Sequence, residues 1–394
     1  MSEQQTNASV VPPPIILDQQ TRRWLPAIIA AIIAFAMFII LGATPPIRAA
    51  GMAMAVVGMA LALHPMGTGL AFVGGLALAF SPSFWIQTGG LESLDPLEVG
   101  IGLGVALALA GIVYVVRKHP QDVTLATILF IALFALFFLL GVGTPRSLRL
   151  TTLLAAWFVF LLTEGTLLSN PRPDVMQPEK LGIQHTWGLL LLLGLGVMNN
   201  PLFTLFVPAT ALGLFLTRAR LPIWYWLGLV LVAIMGAYSI TITYIAPEWW
   251  SFPSEQTPNV VGHVPFLIAS AWRDPERWLR LIDLIVGQFT PIGLALGILG
   301  LARLSRWHPP TGVVTMVAYG SYAFFGLIYF GDDAPVLLLP LLMIQIYWMT
   351  YAAYTFASWL GGAFHITPRL SLWGATAAFS LLPLFMLARI MGFL

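Results

Sequence analysis

The chain has 394 residues, 59% of them hydrophobic and only 9% charged, with a formal net charge of +2 and a mean hydropathy of +0.88. That balance excludes an ordinary soluble domain, whose core needs far less apolar sequence. Cysteine is absent, which excludes disulfides, thiol chemistry and cysteine-based metal sites in any compartment. The small net charge says little about partners, and nothing in it points to nucleic acid.

Residues 1–22, MSEQQTNASVVPPPIILDQQTR, are polar and interrupted by proline. They lack the apolar region and small-residue cleavage site of a secretory signal and read as a disordered cytoplasmic tail. TRRWL resembles a twin-arginine signal, but the apolar run after it is long enough to stay in the membrane. The remainder, 23–394, reads as one transmembrane helical domain. Stretches of about 18 or more apolar residues, enough to cross roughly 30 Å of hydrocarbon, recur from Trp24 onward. In the first half the pattern predicts spans near Trp24 to Leu41, Ile47 to Leu63, Thr68 to Phe80, Val99 to Val116, Val123 to Val142 and Thr151 to Ser169. In the second half it predicts Thr186 to Met198, Leu202 to Thr217, Ile223 to Tyr244, Pro291 to Leu304, Val313 to Phe330, Val336 to Leu360 and Leu370 to Met391. The fold class is thus an all-α polytopic membrane bundle of about 11–13 transmembrane helices. Thr68 to Phe80 and the pair flanking Asn199-Asn200-Pro201 fall below the usual spanning length.

Lysine and arginine in short loops favour the cytoplasmic side. With the N-terminus inside a bacterial-type plasma membrane, Arg22, Arg23, Arg117, Lys118, Arg172, Lys180, Arg218, Arg220, Arg303 and Arg306 fall inside. Glu92, Asp95, Glu98, the segment 245–288 and the Gly331-Asp332-Asp333 turn then fall outside. Arg48, Arg146 and Arg149 break the rule. Either they meet an anionic group there, or the short loops simply tolerate exceptions. The outer stretch PFLIASAWRDPERWLRLIDLIV carries too many charges to span. It reads as an amphipathic interfacial helix, with Ile268, Trp272, Leu279, Ile282 and Val286 on one face and Pro275 at a break or a start. Trp249, Trp250, Trp272 and Trp278 form an aromatic belt or roof a groove for a lipid-linked substrate.

Three stretches, FSPSFWIQTGGLES, MNNPLFTLFVPATALGLFL and FTPIGLALGILGL with YFGDDAPVLLLPLL, follow one another along the chain. In that order they resemble the C-type membrane glycosyltransferases, closest to the bacterial branch similar to protein O-mannosyltransferases. The resemblance runs from about Ile47 to Leu360. It implies an all-helical bundle that binds polyprenyl-phosphate sugars in a groove open to the outer leaflet. Trp85, Asn199, Asn200 and Trp272 would line that groove, and Arg48, Arg146 and Arg149 would hold phosphate or lipid.

One departure stands out. The resemblance implies a catalytic aspartate in a long first outer loop, yet the corresponding stretch here is GATPPIR, Gly42 to Arg48, with no acid and no histidine. The replacement candidates are Glu92, Asp332 and Asp333. A close pair of carboxylates raises one pKa, as a general acid or base requires, and hard oxygens suit Mg²⁺ or Mn²⁺. The alternative for the adjacent aspartates is a solvated turn.

Glu164, inside an apolar span, demands a hydrogen-bonding or charged partner. Asn199 and Asn200 either bind sugar hydroxyls or cap the turn before Pro201. The six histidines show no metal-ligand spacing, and no Walker, Rossmann or nucleophile-elbow motif is present. Glycine clusters in GTGLAFVGG and GIGLG read as close helix packing. Two functions remain: sugar transfer from a polyprenyl-phosphate donor, or a non-catalytic lipid-binding or scaffold subunit of a larger membrane complex. A secondary transporter ranks behind both, since no inverted repeat is evident.

Overall fold

In the computed structural model, residues 20–88, 148–168, 183–217, 221–241, 266–331 and 333–393 are described. The described residues are almost entirely helical: α1 (Gln20–Ile40), α2 (Pro46–Leu63), α3 (Thr68–Ala79), α4 (Pro82–Trp85), α5 (Leu148–Leu168), α6 (Ile183–Asn199), α7 (Val207–Leu216), α8 (Ile223–Ile240), α9 (Pro275–Trp307), α10 (Pro309–Ile328), α11 (Ala334–Leu337), α12 (Leu339–Ala363) and α13 (Pro368–Ile390). Pro46, Pro82, Pro309 and Pro368 each open a helix. A fixed φ suits that position and the missing N–H costs nothing there. Phe266–Leu267 (β1) and Tyr329–Phe330 (β2) form one short antiparallel pairing. The expected spans over 99–116 and 123–142 lie outside the described residues.

Six of the described segments are long and apolar enough to cross a membrane: Arg48–Met66, Leu148–Leu167, Ile223–Ile240, Pro275–Trp307, Pro309–Ile328 and Pro368–Ile390. The protein is a multi-pass integral membrane protein. The core gathers around α12, in which every residue from Leu339 to Ala353 is buried, as expected of a helix that is hydrophobic all round. By contrast α8 and α13 are only 28% buried and turn large apolar side chains such as Ile234, Trp373 and Leu381 outward, where lipid rather than protein solvates them.

Small residues decide the closest contacts. A Cβ on Gly300 would overlap the Trp348 carbonyl oxygen, and one on Gly297 the Gln345 side chain, so α9 and α12 touch backbone to backbone there. A Cβ on Gly58 would come within 3.1 Å of the Ala156 and Trp157 backbone, so the absence of one lets α2 pack closely on α5. The cluster in GTGLAFVGG behaves as its sequence suggested, because Gly74 and Gly75 face Leu63 and Ala60 across the turn between α2 and α3. GIGLG lies outside the described residues.

The 33 residues of α9 are two helices in sequence, parted at Thr290 (φ 65, ψ 166) immediately before Pro291. Proline disfavours helical geometry in the residue before it and supplies no N–H to the carbonyl four residues back. That carbonyl belongs to Gly287, and Arg389 Nη1 of α13 donates to it at 2.6 Å. The first half of α9 is the interfacial helix read from the sequence. Asp274 caps it by accepting from the Glu276 N–H at 3.0 Å, and Pro275 is its first residue. Arg277, Leu281, Ile285 and Phe289 are its buried stripe. Trp272, Leu279 and Ile282 point away from the bundle, and Arg273, Glu276, Arg280 and Asp283 form an exposed charged edge beside them. A protein-facing stripe, an apolar outward face and a charged edge together match a helix lying in the membrane boundary.

Candidate functional site

Several helix ends converge on one end of the bundle. The Phe38 ring near the end of α1 meets Phe84 and Trp85 of α4 at 6.0 and 5.6 Å. This brings the start of α2 to the same end, where it packs on the turn 86–88. Gln87 in that turn then collects α5. Arg149 Nε donates to the Gln87 carbonyl at 2.7 Å, and Thr152 Oγ1 donates to Gln87 Oε1 at 3.0 Å. The end of α6 joins through Asn199 Nδ2, which donates to Thr151 Oγ1 at 2.7 Å. The break in α9 joins through Gln288 Oε1, which accepts the Ser83 N–H at 2.9 Å. The short α11 packs on α4 and completes this polar end.

The electrostatics here favour an anion. Arg48 and Arg149 sit in the first turns of α2 and α5, neither of which carries an acid there. A cation at the positive end of a helix dipole is unfavourable by about 0.3–1 kcal/mol, whereas an anion at that place is stabilised. Arg48 is buried and Arg149 partly so. Beside these arginines, the buried Gln87 Nε2 amide and Ser83 hydroxyl have no hydrogen-bond partner among the described residues. Leaving such groups unpaired costs about 1–3 kcal/mol each, so the site is short of acceptors.

The other expected site residues have distinct placements. Asn200 is buried, and its Oδ1 accepts the Leu202 N–H at 3.0 Å, capping the 3-10 turn Pro201–Phe206. Trp85 packs between Phe38 and Phe80. Trp272 stands apart at the exposed start of the interfacial segment, its carbonyl accepting from Trp278 Nε1 at 2.7 Å. Asp333 is exposed, and its carboxylate accepts the Tyr329 hydroxyl. Its backbone carbonyl takes the Val336 and Leu337 N–H groups. Glu92, Arg146 and Asp332 lie outside the described residues. Glu164 is buried in α5. Among the described residues no three His, Asp or Glu side chains converge to hold a metal ion, and Asp333, with one oxygen committed to Tyr329, is not by itself a Mg²⁺ or Mn²⁺ site.

Gln87, Ser83 and Gln288 carry much of this geometry and were not singled out from the sequence. The one available signal was two glutamines inside otherwise apolar runs. Arg277 is a further such residue. Buried under the interfacial helix, its guanidinium donates to the Leu327 and Gly326 carbonyls at 2.9 Å each and to the Tyr329 carbonyl. It also stacks on the Phe330 ring at 4.0 Å. It thereby takes up carbonyls that the end of α10 leaves without intrahelical partners.

No family model, characterised protein or solved structure matches the chain. Its chemistry has to be read from its own residues.

Proposed function

We propose that this multi-pass membrane protein binds a polyprenyl-phosphate-linked sugar, with the phosphate at the end marked by Arg48, Arg149 and Gln87, and transfers the sugar in the manner of the C-type membrane glycosyltransferases it resembles. The observation that carries the reading is the contact of Arg149 with the buried Gln87 at the end of the bundle where α2 starts, with Arg48 buried in the first turn of α2. Phosphate monoesters and diesters suit such a donor-rich end, and a polyprenyl tail suits the surrounding hydrocarbon. In this reading that end faces the outer leaflet, and a carboxylate from Glu92 or Asp332 serves as base toward the acceptor.

A second reading, binding without transfer, is favoured by Asp333. Its exposure and its bond to Tyr329 are those of a turn residue, and the first loop offers no acid in its place. One preparation separates the two. The full chain is purified in mild detergent and its bound lipids are measured by native mass spectrometry. Arg149→Gln is expected to lower retained carrier lipid about tenfold, the loss of one charged hydrogen bond. Unchanged retention in that variant sinks both readings. If Asp332→Asn/Asp333→Asn retains a sugar that the wild type has lost, transfer is supported. Equal sugar occupancy in the wild type, in that variant and in Glu92→Gln supports binding alone.

A further inference from the structure

At the opposite end of the bundle, α9 and α12 part. Gly300 brings α9 against the Trp348 backbone and Gly297 makes room for the Gln345 side chain. One turn further on, Arg303 replaces glycine on α9, and Phe356 and Trp359 project from α12. The two helices leave a small cleft of about 40 Å³ between them, lined by Leu299, Arg303, Ala352, Thr355, Phe356 and Trp359. The cleft opens sideways, because Leu299, Phe356 and Trp359 are exposed on the outside of the bundle. Its apolar wall continues along α9 toward the membrane centre through the outward-facing Ile298 and Ile292.

The polar groups sit at the outer lip. Arg303 is exposed and packs its guanidinium over the Trp307 ring at 5.5 Å. Thr355 donates to the Ala352 carbonyl at 2.9 Å, which leaves its oxygen able to accept. Tyr351, one turn before Thr355, has a buried hydroxyl without a partner among the described residues. Arg306 and Arg369 are also exposed at this end, so among the described residues its accessible charge is positive. Aromatic rings, arginine and a greasy lateral wall are the chemistry of a lipid held at the membrane boundary.

We infer that the α9–α12 cleft is a binding site for an anionic phospholipid, its phosphate on Arg303 and an acyl chain along Leu299, Ile298 and Ile292. The site is separate from the one proposed at the polar end and does not depend on it. A zwitterionic lipid would bring an ammonium group into a cationic rim, so a net negative headgroup is the complementary partner.

The test uses the full chain in nanodiscs of equimolar phosphatidylglycerol and phosphatidylcholine, transferred to mild detergent for native mass spectrometry. Wild type is expected to retain phosphatidylglycerol in preference to phosphatidylcholine. Arg303→Gln should lower that retention about fivefold, and Arg369→Gln, an exposed arginine outside the cleft, less than twofold. Ala352→Phe, which fills the cleft and keeps Arg303, should also lower it. The inference is overturned by equal retention of the two lipids, by no change in Arg303→Gln, or by an equal loss in Arg369→Gln. Displacement of the wild-type adduct by inorganic phosphate would also overturn it, because a headgroup site alone would then account for the binding. If either cleft variant is not monodisperse, the wild-type lipid preference and the phosphate competition still decide.

Discussion

Replacing Arg277 by methionine removes a buried fork that serves two backbone elements at once. Three carbonyls lose a charged donor: those of Gly326, Leu327 and Tyr329. The Phe330 ring loses its stacked cation. Each charged hydrogen bond is worth about 1.5–3 kcal/mol, which would give roughly 5–9 kcal/mol if nothing replaced it. Two effects reduce the sum. Methionine keeps most of the apolar stem, and the guanidinium's own desolvation cost disappears. The expected net loss is about 3–4 kcal/mol, in line with removing one partner from a buried charged network. Arg277→Lys keeps the charge but can satisfy only part of the fan of acceptors, and should cost about 1–2 kcal/mol. Thermal unfolding in detergent measures the global effect. Limited proteolysis at the Gly331–Asp333 turn measures the local one, because Arg277 ties the interfacial helix to the strand leading into that turn. If Arg277→Met unfolds within about 0.5 kcal/mol of wild type, or if Leu279→Ala on the exposed face of the same helix costs as much, the clamp is not what holds this region.

Thr290→Gly should stabilise the protein by about 1 kcal/mol, since φ 65 with ψ 166 is a region that essentially only glycine occupies without strain; an unchanged or lower unfolding temperature would count against strain at the break. Gly300→Leu should cost about 3 kcal/mol or prevent a monodisperse product, because any side chain there overlaps the Trp348 carbonyl. Gly51→Ala on α2 meets nothing within 4 Å and should stabilise slightly, by about 0.5–1 kcal/mol, in the same unfolding assay. Gln87→Leu removes the buried amide donor without an acceptor among the described residues. It should lower carrier-lipid retention while leaving phosphatidylglycerol retention unchanged, and an equal fall in both would merge the two proposed lipid sites.

The helices were legible because the membrane imposes a simple code. Apolar runs had to be long, and prolines favour their first turns or breaks, with Pro26 and Pro383 as exceptions inside α1 and α13. Pro46, Pro309 and Pro368 mark starts and Pro291 marks the break inside α9, all within the reach of residue-type reasoning. Facing was less accessible. The apolar stripe of Trp272, Leu279 and Ile282 was visible at helical spacing, but spacing cannot say whether such a stripe meets protein or lipid. In the fold it turns outward, and the bundle side is taken by Arg277, Leu281, Ile285 and Phe289. In water an apolar stripe marks the core; at a membrane boundary the outward face is apolar too, and the clue loses its direction.

The polar end was half legible for a related reason. Arg48 and Arg149 drew notice through charge, because they sit where the charge bias disfavours them. Gln87 and Gln288 carry no charge and follow no period, and their importance comes from what burial does to an amide. In hydrocarbon a glutamine must find partners, and these two find them 65 and 205 residues away in sequence, at Thr152 and Ser83. The adjacent aspartates show the converse. Two carboxylates side by side look like chemistry, yet Asp333 spends its backbone on starting α11 and its side chain on Tyr329. A buried neutral amide is therefore a stronger pointer to a ligand in this protein than an exposed acid, because the amide has no water to fall back on and the acid does.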